Sequence, residues 1–110
     1  MLPENITAIL ARNEKWEGMA ATEPFEAGWA KEAIIFVRAL KKPQGPQPVG
    51  RVQISADGMH WVDEGTSIKL PDEGETAAVK LSHFGNWLRL SADFAQGSSA
   101  VVLVSLHLKA

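Results

Sequence analysis

The stretch VGRVQISADGMHW, residues 49–61, decides the fold class. Val52 and Ile54 fall on one side of it, while Arg51, Gln53 and Ser55 fall on the other. An extended chain points alternate side chains to opposite faces, so this period of two marks a strand buried on one face only. Asp57-Gly58 then breaks the alternation. Glycine accepts positive φ, and an aspartate carboxylate accepts hydrogen bonds from nearby backbone N–H groups, so the pair predicts a tight β turn. Residues 49–55 are thus expected to pair across the turn with a short strand at 60–62.

The same grammar extends in both directions. Residues 32–40, EAIIFVRAL, are β-branched and aromatic, and apolar on both faces near the middle, as a central strand covered on two sides requires. The loop 41–48, KKPQGPQP, holds three prolines and a glycine and cannot continue a ladder. A short strand at 67–70 ends at Pro71 and the turn residues 72–74. Residues 76–82 alternate with Ala77, Val79 and Leu81 inward, and Gly85-Asn86 makes the next corner. Residues 87–92 turn Leu88 and Leu90 to the core and Trp87, Arg89 and Ser91 away from it. After a turn at 97–99, the last strand, 100–108, carries one stripe of Val102, Val104, Leu106 and Leu108, and another of Val101, Leu103, Ser105 and His107.

Residues 1–29 are less regular. Positions 6–11 fit a helical turn or a strand, 16–22 a short strand, and Pro24 and Gly28 punctuate the chain before Trp29. An edge strand or an arm is expected there. About eight strands on short turns, with no long helix, predict an all-β fold: an antiparallel β-sandwich, jelly-roll-like, with a closed barrel as the alternative.

A chain of 110 residues is one domain, 1–110, long enough to bury a core. Hydrophobic residues make up 45% and charged residues 22%, the composition of a folded globule. A net charge of −2 leaves no electrostatic footprint for nucleic acid or anionic membrane. Cysteine is absent, which removes disulfides, thiolate nucleophiles and cysteine-based metal sites together. The first residues lack a basic start followed by an apolar stretch, and no apolar run is long enough to span a bilayer. A cytoplasmic or virion-associated protein is the expectation.

Ser55, Asp57, Gly58 and Trp61 belong to SADGMHW, residues 55–61. The Asp-box of sialidase propellers needs one more residue between Asp and Gly, so that match fails. Without gaps, the stretch resembles the S-x-D-G-x-x-W hairpin of discoidin-like jelly rolls and of small phage structural proteins of sandwich fold. The resemblance extends over residues 29–110: Trp29 before the strand at 33–40, then the hairpin, then Trp87-Leu88-Arg89-Leu90, then the strand at 100–108. It implies a jelly-roll domain used for binding or assembly, in which Asp57 and Gly58 make the turn and Trp61 packs back over the strand it has left. It carries over no catalytic residue.

Residues that carry chemistry are sparse. His60, His83 and His107 share no ligand spacing, and the acidic residues at 63–64 and 72–75 match no calcium loop, so neither metal nor cofactor is expected. No nucleophile elbow or phosphate loop is present, so an enzyme is not expected. Four tryptophans stand out beside an absence of tyrosine. Trp16, Trp29, Trp61 and Trp87 are candidates for a sugar-stacking surface, and Trp16, Trp29 and Trp87, with Arg89 beside the last, for an interface; core packing competes with these roles, and for Trp87 so does cover by the N-terminal segment of the same chain. Strands apolar on both faces at 33–40 and 101–108 need cover that a neighbouring subunit supplies. The sequence therefore predicts a non-enzymatic structural or assembly protein, a phage-like capsid or tail decoration component that forms a homo-oligomer or joins other structural proteins. A carbohydrate-binding module is the alternative.

Overall fold

A computed structural model describes residues 5–110 of the protein. Nine strands and no helix make up these residues. They are β1 (Asn5–Trp16), β2 (Met19–Ala21), β3 (Phe25–Glu26), β4 (Glu32–Ala39), β5 (Val49–Ser55), β6 (Val62–Lys69), β7 (Thr76–Ser82), β8 (Trp87–Asp93) and β9 (Ala100–Lys109). One sheet has the order β1-β9-β4-β7, and the other β2-β8-β5-β6 with β3 also paired to β8. All strand pairings are antiparallel.

This order is a jelly roll. The short β2 and β3 share one position beside β8, which leaves eight strand positions. The chain then pairs first with last (β1 with β9), second with seventh (β2/β3 with β8), third with sixth (β4 with β7) and fourth with fifth (β5 with β6). A long hairpin rolled up on itself closes in this way, through β9 on β4 and β8 on β5.

Alternation is what lets two such sheets stack. Ile35 and Val37 of β4 stand beside Leu106 and Val104 of β9, and across the sandwich Val52 of β5 stands beside Leu90 of β8. All six are wholly buried, each worth about 1.5–3 kcal/mol of burial. Ile54, Leu90 and Val104, taken from three strands, share this single interior.

Several sequence expectations are corrected. Asp57-Gly58 does not make a two-residue turn: the whole segment 56–61 is loop, and the short strands expected at 60–62 and 67–70 are one strand, β6. Ser55 and Asp57 stabilise a wider turn than the tight one that Asp-Gly alone suggests, which is why the strand starts later. The strand expected at 16–22 is broken at Gly18, whose φ of +59° turns the chain from one sheet into the other. Positions 6–11 are strand, and the irregular N-terminal segment contains an edge strand, β1, paired to β9 of the same chain. Its register shifts between Ala11 and Glu14, where Asn13 adopts φ +51°. Such bulges bend an edge and hide the apolar alternation in the sequence. The first four residues of the expected arm lie outside the described residues.

Candidate functional site: two outer faces of opposite chemistry

With the core filled, the functional candidates are the surfaces that the sandwich presents. Loops 27–31, 56–61 and 83–86 meet at one end. Asn86 ties them together: its carbonyl accepts from Ala27 N at 2.6 Å, and its side-chain amide donates to the Ala56 carbonyl at 3.3 Å. Between the 56–61 and 83–86 loops lies an apolar cleft of about 420 Å³ bordered by Ile54, Val62, His60 and Asn86.

The 56–61 loop is organised by two side chains. Ser55 Oγ accepts from Gly58 N at 2.8 Å and Asp57 N at 3.2 Å, and donates to Asp57 Oδ1 at 2.9 Å. Asp57 Oδ1 also accepts from Met59 N at 2.8 Å and His60 N at 2.9 Å, while Oδ2 lies 2.7 Å from His60 Nδ1. The backbone N–H of His60, then its imidazole, hold the Asp57 carboxyl far below the usual carboxylate range. In return, the hydrogen bond that the imidazole donates to Asp57, and then the charge of Asp57, raise the pKa of His60. The serine hydroxyl and the carboxylate both take up backbone N–H groups of the loop, so together they lock the turn.

Gly58, at φ +81°, lays its backbone over Trp87: a Cβ built there would stand 3.2 Å from the indole. Trp61 meets Arg89, whose guanidinium carbon lies 4.3 Å from the ring centroid. Since Arg89 belongs to β8, the Trp61 ring reaches back across β5, the strand its loop has left. Along this outer face of the five-stranded sheet, Arg89 Nε donates to Gln53 Oε1 at 2.8 Å and Gln53 Nε2 to Asp63 Oδ1 at 2.9 Å. Arg51 joins Asp63 at 3.3 Å and Asp93 at 2.9 Å. Burial lowers the pKa of Arg89.

The outer face of the four-stranded sheet is different. Ile34 and Phe36 of β4 and Val101 and Leu103 of β9 are half-buried there, and Ile9 of β1 is 41% exposed. Among the described residues, no element lies over this face. His107 sits within it, 5.0 Å edge-on to Phe36, with Thr7 Oγ1 and Ser105 Oγ each 3.2 Å from a ring nitrogen. Charges stand towards the strand ends and the β7 edge: Arg38, Lys80, Lys109 and Glu32 are in no ion pair among the described residues, and Lys15, opposite Val101, pairs with Glu17 at 3.7 Å.

The tryptophans divide accordingly. Trp16 is 3% exposed and is core, which removes it from the surface candidates. Trp29 is half-buried against the core. Trp87 and Trp61 are half-buried on the outer five-stranded face. Gly58 of the 56–61 loop lies against the Trp87 indole, while the N-terminal segment pairs along β8 through β2 and β3, with Glu26 opposite Trp87. Gln53 and Asn86 are site residues that the sequence alone does not single out. Alternation turns Gln53 outward, but its pairing with Arg89 joins positions 36 apart. Among the described residues, no three metal-binding side chains come together.

The chain shares its fold with a prophage protein. It is similar over its whole length to the crystal structure of SPBc2 prophage-derived protein YomS, with a TM-score of 0.65, 11% identity and 96% of that chain covered. A protein described under Bacillus endospore appendages, a novel family of disulfide-linked pili, is similar over 97% of this chain and 86% of its own, at 12% identity and a TM-score of 0.48. No protein-family model and no curated protein sequence matches. The phage-like part of the sequence resemblance thus holds at the level of fold.

Proposed function

We propose that the protein is a non-enzymatic structural component, phage-like in kind, that assembles by setting the outer face of its four-stranded sheet against a second copy. The observation that carries this is the uncovered apolar centre formed by Ile34, Phe36, Val101, Leu103 and Ile9. Monomers seldom leave such a patch in water. Four strands at about 4.8 Å spacing and about eight residues at 3.3 Å give a face of about 500 Å². Two copies would then bury about 1,000 Å², the lower limit of a specific interface. The opposite sheet face carries a network of ion pairs and side-chain hydrogen bonds beside its tryptophans, so the surface that best matches the apolar face is its own copy, in an isologous contact. The prophage origin of a protein with the same fold agrees with a role in assembly.

Light scattering across a concentration series tests this. The wild type is expected to show reversible self-association, and Phe36→Lys and Leu103→Lys to remain monomeric with unfolding curves close to wild type. A wild-type chain that stays monomeric at every concentration overturns the proposal.

A further inference from the structure

The outer five-stranded face holds two arginines with different fates. Arg51 is consumed by two carboxylates, Asp63 and Asp93. Arg89 has no carboxylate partner among the described residues: its Nε is taken by the neutral Gln53 amide, and its plane is backed by Trp61. Among the described residues, Nη1 and Nη2 have no protein partner, and neither is a sealed, unsatisfied atom. These nitrogens present the planar fork that matches a carboxylate in two parallel hydrogen bonds. A partly desolvated cation without a counter-ion is costly, and burial does disfavour its charge here.

We propose that Arg89 anchors a binding site for acidic saccharides, taking a uronate carboxylate on its terminal nitrogens while the sugar ring lies against the neighbouring indoles. Trp61 and Trp87 both keep surface in solvent beside it. An indole is a flat apolar surface with a polar edge, suited to the C–H face of a pyranose. A peptide is the poorer occupant. Extended peptides add to a free strand edge, but β8 is paired on both sides, by β5 and by β2 and β3, and β5 lies between β8 and β6. This site uses the sheet opposite to the assembly face, so it stands independently of the assembly reading.

Affinity electrophoresis in native gels cast with polygalacturonate, dextran or polyglutamate tests it. Only polygalacturonate is expected to retard the chain. Arg89→Lys keeps the charge but loses the fork, and should weaken retardation by about tenfold or more while its unfolding curve stays cooperative. Equal retardation by polyglutamate would make this a general anion site, and equal retardation by dextran would remove the arginine from recognition; either overturns the proposal. Absence of retardation, or undiminished binding by Arg89→Lys, does the same.

Discussion

Gly58→Ala perturbs the turn over Trp87 in two separable ways. The backbone stands at φ +81°, where a Cβ crowds the following carbonyl at about 1–2 kcal/mol. That Cβ would also lie 3.2 Å from Trp87 Cε2 and 3.3 Å from Cδ2. The indole must then give way, which adds about 1 kcal/mol as mild overpacking. Alanine returns about 0.4–1 kcal/mol through its smaller unfolded-state entropy. The net loss is about 1–2.6 kcal/mol. Gly74→Ala provides the control, because Gly74 has φ +74° and nothing within 4 Å of its Cβ position. It carries the strain without the contact. Urea unfolding followed by circular dichroism should show Gly58→Ala about 1 kcal/mol less stable than Gly74→Ala at similar m values, with Trp87→Leu removing most of the difference. Equal losses for the two alanines would refute the placement of the turn on Trp87.

Other outcomes follow from the same geometry. The Asp57–His60 pair should make stability depend on pH in a window set by both partners. The raised His60 pKa contributes stability that is full below the ordinary value of 6.5 and fades as pH climbs through the folded value. The depressed Asp57 pKa contributes stability present above 3.8 and lost as pH falls towards its folded value. Thermal unfolding of His60→Ala against wild type should therefore differ most between those limits and converge towards alkaline pH. A double-mutant cycle of Arg89→Ala with Trp61→Leu should return a coupling of about 0.5–1 kcal/mol, and a value near zero would remove the stacking. Leu90→Ala should cost about 2–5 kcal/mol in denaturant unfolding, because Leu90 is wholly buried. Added salt should strengthen self-association, since the rim set by Arg38, Lys80 and Lys109 outweighs Glu32 and copies repel until screened.

Strands with a clean period of two are legible in the sequence itself. The two stripes of β9, the outward Trp87 and Arg89, and the doubly apolar β4 all stand where alternation puts them. Where the local signal is broken, the pattern misleads. The bulge around Asn13 scrambles the alternation of β1, and Gly18 divides a segment that looks continuous. The Ser55–Asp57 network turns an apparent two-residue turn into a longer loop, because side-chain hydrogen bonds replace the ladder. The candidate site is half legible. A residue's face follows from its neighbours in sequence, but the Gln53–Arg89 and Trp61–Arg89 contacts depend on which strands become adjacent. That information lies in the roll of the whole chain.

Small-angle X-ray scattering over a concentration series tests the assembly claim at its root. A single chain has a Cα radius of gyration of 13.7 Å. Two sandwiches joined through their four-stranded sheets, with layers about 10 Å apart, have centres about 20 Å apart and a radius of gyration of about 17 Å. The wild type is expected to rise to that value with concentration, and Leu103→Lys to show no rise. A constant 13.7 Å would contradict face-to-face assembly, as would growth along the 48 Å long axis to about 28 Å, the signature of end-to-end contact.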